Sequence, residues 1–177
     1  KQYVDLTCSN PQLSSFSFSK DSRLLSVFQN KHNFDYRPDP KGLLRVREVL
    51  TGYYCKKSCH LTSEDIFLTA STSEAYAYIF KLIADPGDTV LFPKPSYPLF
   101  EFLAHFEGIR LKPYSLYYQA GTWSVDREKI LAGLEEGAKG IVCVHPNNPT
   151  GSYVTDEDKR FILSACSSRS AGIISDE

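Results

Sequence analysis

The sequence predicts an α/β fold: a doubly wound, mostly parallel sheet with helices on both faces. Short apolar runs alternate with longer segments whose apolar residues recur every three to four positions. Two of the short runs, Gly140-Ile141-Val142-Cys143-Val144 and Gly172-Ile173-Ile174-Ser175, are continuously apolar or small. A parallel sheet buries such strands on both sides. Strand and helix then repeat in turn, which right-handed crossovers wind into one layered sheet.

Residues 1–40 read as irregular, and 41–57 as one long helix carrying Leu43, Leu44, Val46, Val49, Leu50, Tyr53 and Tyr54. Residues 66–68 read as a strand. A helix over 72–84 follows, apolar on more than half its surface and therefore well buried. Asp85-Pro86-Gly87-Asp88 stops it, since proline disfavours helix at the residue before it and Pro-Gly suits a tight turn. A strand at 89–92, a helix at 99–106 and a third strand at 109–112 continue the alternation. Asp126 opens a polar helix with Ile130, Leu131 and Leu134 as its apolar stripe. After strand 140–144, Thr155 caps a helix whose first residues, Asp156, Glu157 and Asp158, sit at the positive end of its dipole. Strand 172–175 is the last element.

Lys and Arg number 20 against 21 Asp and Glu, a net charge of -1 spread evenly, so electrostatics give no reason to bind nucleic acid or an anionic membrane. No uncharged apolar run approaches the ~18 residues of a membrane span, and the first residues lack the apolar stretch of a secretory signal. Cys8, Cys55, Cys59, Cys143 and Cys166 are odd in number and lack the spacing of a disulfide framework, which fits a cytoplasmic protein. Cys55, Cys59 and His60 cluster, but a structural zinc site needs four ligands and no second pair stands at a usual spacing, so no metal site is expected. Methionine is absent and the chain stops just after an apolar strand, so a fragment of a longer polypeptide is expected.

Open α/β sheets bind ligands beyond the carboxyl ends of their strands. Four segments there carry chemistry. Ser71 and Glu74 have capping-box spacing, and the free N–H groups of such a helix start, with Thr72 and Ser73 beside them, can seat a phosphate. Capping alone also explains the pattern. In Pro93-Lys94-Pro95-Ser96-Tyr97-Pro98 the prolines stiffen a loop that offers Tyr97 as an aromatic face, or form only a rigid surface loop. His145-Pro146-Asn147-Asn148-Pro149-Thr150-Gly151 is a turn, yet it places an amide after a buried strand. Asp176 puts a carboxylate at the end of another buried strand, where it needs a partner or serves as a cap.

Taken in order, Tyr36, Gly42-x4-Arg47, Thr69-x-Ser71-x-x-Glu74-Ala75, Pro86-Gly87-Asp88, Pro95-Ser96-Tyr97-Pro98, Asn147-Asn148-Pro149-Thr150-Gly151 and Ser175-Asp176-Glu177 resemble the class I/II aminotransferases, which are fold type I pyridoxal-phosphate enzymes. The resemblance implies that residues 41–177 are part of the cofactor-binding large domain. It implies pyridoxal 5'-phosphate as cofactor, with its phosphate on Ser71, Thr72 and Ser73. Tyr97 would stack on the pyridine, Asn148 would bond the ring hydroxyl oxygen and help orient the substrate carboxylate, and Asp176 would pair with the pyridine nitrogen. Tyr36 would reach the phosphate of the other subunit of a homodimer. Lys94-Pro95 and Asn148-Pro149 match positions where the family can use cis peptides. The implied activity of the parent protein is transfer of an amino group from an amino acid to a 2-oxo acid. A carbon-sulfur β-lyase of the same fold and a non-catalytic, aminotransferase-like regulatory domain are the alternatives. The Schiff-base lysine and the substrate-binding arginine of the family have no match here, so the fragment alone is expected to be inactive and, with a bare sheet edge, prone to aggregate.

Overall fold

A computed structural model describes residues 26–177, so Cys8 and the first 25 residues of the segment 1–40 read as irregular lie outside the described residues; in the rest of that segment Lys31–Phe34 forms a short 3-10 helix, its start capped by the Asn30 side chain. Packing separates the described residues up to Leu68 from residues 69–177.

In the first unit, helix α1 (Leu44–Cys55) is shorter than the 41–57 expected. Gly42 delays its start: its φ is +82°, and a Cβ there would lie 2.6 Å from Leu68 Cβ. Arg47, 4% exposed, ties the unit together. Its Nε donates to the Gly42 carbonyl at 3.0 Å, Nη1 to the Ser63 carbonyl at 2.6 Å, and Nη2 to Asp39 Oδ2 at 3.1 Å. The strand expected at 66–68 does not form. Ile66 is extended (φ -111°, ψ 128°), but the Leu68 amide bonds only the Lys41 carbonyl, and no ladder develops. Apolar, β-prone residues give an extended backbone; a strand needs a partner as well.

The second unit holds helix α2 (Thr72–Ile83), strand β1 (Thr89–Lys94), α3 (Leu99–Phe106), β2 (Arg110–Gln119), β3 (Thr122–Val125), α4 (Arg127–Glu135), β4 (Gly140–Val144), α5 (Asp156–Ser167) and β5 (Gly172–Asp176). The strands form one sheet in the order β3-β2-β1-β4-β5, parallel except for β3 against β2. The expected third strand, 109–112, is longer, and β3 is an addition to the expected set. Ala120 and Gly121 both take positive φ, +51° and +84°, the geometry of a two-residue hairpin turn. Ala-Gly is a weak signal for that turn because alanine seldom adopts it.

Alternation along the strands builds a core on each face. Leu91, Tyr114, Ile141 and Cys143 pack with Ile130 and Leu134 of α4 and Ile162 and Cys166 of α5. Val90, Phe92, Val142 and Ile174 pack with Tyr76 and Phe80 of α2 and Phe100 and Ala104 of α3. The helices therefore lie on both faces, as the alternation predicts. From β1 the chain winds to β2 on one side, and from β4 to β5 on the other. The direction reverses between β1 and β4, where a crevice opens at the carboxyl ends.

Candidate active site

Helix α2 supplies the first wall of that crevice. Ser71 is its N-cap: its Oγ accepts from the Glu74 amide at 3.2 Å. Glu74 Oε2 reaches past the cap to accept from the Ala70 amide at 2.6 Å, so the capping box is displaced outward by one residue. That amide, and then the Tyr78 hydroxyl, hold the Glu74 carboxyl below its usual range. The next amides, of Thr72 and Ser73, find no acceptor among the described residues, as the first turn of a helix dictates.

The loops after β1 and β4 form the second wall. Asn147, 3% exposed, donates from Nδ2 to the Pro95 carbonyl at 3.2 Å and to Thr150 Oγ1 at 2.8 Å, which staples the two loops together. Of the adjacent asparagines, Asn147 is thus structural and Asn148 is exposed. The bonds Lys94-Pro95 and Asn148-Pro149 are cis, and so is His145-Pro146. Tyr97 stands half-exposed, edge-on to Phe100 with centroids 6.5 Å apart.

Strand β5 brings Asp176 into register with Val144 of β4. The His145 amide donates to the Asp176 carbonyl at 2.7 Å, which fixes the backbone of the strand end. Tyr76, buried in the second turn of α2, donates its hydroxyl to Asp176 Oδ2 at 3.0 Å. Burial, and then the Asp176 charge, push the Tyr76 phenol well above its ordinary value, so it stays a donor. His145 is half-buried, and its burial depresses the imidazole pKa against the opposing pull of Glu177 and Asp176. The ring is therefore held toward its neutral form.

Thr72, Ser73, Tyr76, Tyr97, Asn148 and Asp176 all line one cleft of about 280 Å³. Of the sequence-predicted residues, Thr72, Ser73, Tyr97, Asn148 and Asp176 come together. Ser71 does not line the cleft; its hydroxyl is committed to the cap. Tyr36 belongs to the first unit and is 91% exposed. Sequence reasoning misses Tyr76 and His145. Tyr76 reads as one more apolar residue of a buried helix; its place four residues after Thr72, on the same helix face, is the available signal. His145 directly follows a strand of the predicted sheet, which is its signal.

Chemically, the cleft offers two unlike ends. Free amides and hydroxyls at a helix N-terminus suit a phosphate dianion. A carboxylate whose second oxygen has no partner among the described residues suits a cationic nitrogen. A flat heterocycle with a phosphate arm fits such a donor set. Among the described residues no group of three His, Cys, Asp or Glu side chains is placed to hold a metal ion, and no helix is long and apolar enough to cross a membrane.

Residues 16–177 match the model of the aminotransferase class I and II family. The chain is 27% identical to an S-alkyl-thiohydroximate lyase of Arabidopsis thaliana, over 89% of this chain and 34% of the relative. It is 29% identical to mouse (Mus musculus) tyrosine aminotransferase, over 77% of this chain and 30% of the relative. Among solved structures, the alanine aminotransferase of Pyrococcus furiosus is 29% identical, with a TM-score of 0.77, over 85% of this chain and 38% of that one. The chain thus spans about a third of the length of these relatives. With the fold, the ordered motifs and the match over 16–177 in agreement, this chain belongs to the aminotransferase class I and II family.

Proposed function

We propose that the protein carrying these residues uses pyridoxal 5'-phosphate to transfer an amino group from an amino acid to a 2-oxo acid. The observation that carries this reading is the shared cleft, with an anion seat at Thr72 and Ser73 and a carboxylate at Asp176. Residues 41–177 then form part of the large domain of a fold type I enzyme. The protein is cytoplasmic and works as a homodimer, Tyr36 reaching the phosphate held by the partner copy.

The amides and hydroxyls of Thr72 and Ser73 bind the phosphate, and Ser71 acts by capping the helix that presents them. Tyr97, which lines the cleft, would stack on the ring and help to hold it there. The Asn148 amide bonds the ring hydroxyl oxygen and helps to orient the substrate carboxylate. Bound here, pyridoxal phosphate supplies an electron sink for the substrate carbon that loses its proton. Asp176 holds a proton on the ring nitrogen, which keeps that sink cationic. A charge-assisted hydrogen bond contributes about 1.5–3 kcal/mol, and here most of it is realised as the reaction develops charge.

Asp176→Ala in the protein carrying this chain tests the reading. Cofactor affinity should weaken by roughly tenfold, and kcat should fall by more than affinity does. Unchanged kcat with amino acid and 2-oxo acid pairs overturns it. The similarity to a thiohydroximate lyase favours a second reading, loss of a sulfur substituent from the β-carbon. Release of thiol and ammonia, in place of the donor's own 2-oxo acid, would select that reading. Cofactor binding without turnover of any amino acid would select a regulatory domain.

A further inference from the structure

We propose that Tyr76 is a positioning residue that holds the Asp176 carboxylate by one oxygen and leaves the other directed to the cationic ring nitrogen of the cofactor. This inference rests on the cofactor reading of the cleft. Tyr76 is 3% exposed, and its ring packs against Phe100 at 5.0 Å and Phe80 at 5.6 Å between centroids. Two aromatic neighbours and the sheet beneath keep the ring from swinging, so the hydroxyl has one address. That address is Asp176 Oδ2, at 3.0 Å. No other side-chain or backbone donor reaches the Asp176 carboxylate among the described residues. A carboxylate at a strand end rotates freely about its last bond unless something holds it. The hydroxyl removes that freedom, and being uncharged it does so without competing with the cofactor for the negative charge.

The contact joins residues a hundred positions apart, on α2 and β5. Thr72 and Tyr76 lie one turn apart on α2, so the helix that seats the phosphate also sets the carboxylate at the far end of the ring. A shift of α2 would move both ends together. Tyr76 acts through Asp176 and makes no bond to the reacting atoms.

The test compares Tyr76→Phe, Asp176→Asn and the double variant in the protein carrying this chain. Phenylalanine keeps the ring packing and removes only the donor. In the cofactor-free protein at neutral pH, carbon-13 NMR should show the Asp176 carboxyl resonance displaced in Tyr76→Phe, since the hydroxyl that donates to it is gone. An unmoved resonance overturns the inference. With pyridoxal phosphate as probe, Tyr76→Phe should weaken affinity and kcat by about tenfold where Asp176 is intact, with KM for the amino donor steady. In the Asp176→Asn background the same change should leave both nearly unaltered. Equal losses in the two backgrounds would make Tyr76 a packing residue and contradict the proposal. The cofactor reading fails separately: Asp176→Asn would then bind pyridoxal phosphate as tightly as the unaltered protein, while the NMR shift in Tyr76→Phe would still be seen.

Discussion

At the scale of single residues, the structure separates side chains that look alike in sequence. Asn147 and Asn148 are neighbours of one type, but only Asn147 is buried, its amide donating to the Pro95 carbonyl of the other loop and to Thr150 of its own. Nothing in the dipeptide distinguishes them; the staple depends on a carbonyl at Pro95, fifty-two positions away. Asp126 is a case where sequence suffices, since an acid before a polar helix reads as a cap. Its Oδ1 accepts from the Lys129 amide at 3.1 Å and Oδ2 from the Tyr117 hydroxyl at 2.7 Å. Burial pushes this carboxyl up, but the Tyr117 hydroxyl, the Lys129 amide and the Lys129 ammonium together hold it below its ordinary value. A folded-state value below the unfolded one adds stability above about pH 4, and that stability is lost as pH falls through the folded value. Asp126→Ala should therefore cost about 1 kcal/mol at pH 7 and less below pH 4, as measured by urea unfolding at both pH values. An equal cost at both would contradict the assignment.

At the scale of elements, helices with clear caps are legible and pairings are not. Thr155 and Asp126 open α5 and α4 as the sequence predicts, because a cap acts within its own turn. Residues 66–68 have strand composition and no ladder, and Thr122–Val125 becomes a strand through a hairpin turn of unusual residues. Packing between elements also decides what a glycine is for. A Cβ on Gly133 of α4 would lie 2.5 Å from Leu91 Cδ2, and Leu91 is 1% exposed with no room to yield. Gly52 of α1 has nothing within 4 Å of that point. Alanine gains about 1 kcal/mol of helix propensity at either site, while overpacking a core costs about 1–3 kcal/mol. Gly52→Ala should stabilise by up to about 1 kcal/mol and Gly133→Ala should destabilise by a similar amount, read as opposite shifts in denaturation midpoint. Shifts of the same sign would show that α4 does not seat on Leu91.

At the scale of the whole molecule, the sheet order places the ends of β1 and β4 at a reversal of winding, and the cleft lies there. Apolar runs and turn residues are enough to read the layered sheet. The cleft residues are legible through the family's ordered motifs, which mark Thr72, Ser73, Tyr97, Asn148 and Asp176. Tyr76 escapes because its role exists only once α2 folds onto β5. The proposed function requires one ligand to span the cleft, its phosphate on α2 and its ring nitrogen on Asp176. The most direct measurement is nitrogen-15 NMR of ring-labelled pyridoxal phosphate bound to the protein that carries this chain, with and without Asp176→Ala. The ring nitrogen should be protonated in the unaltered protein and deprotonated in the variant; the same protonation state in both would rule out a ligand held between α2 and Asp176.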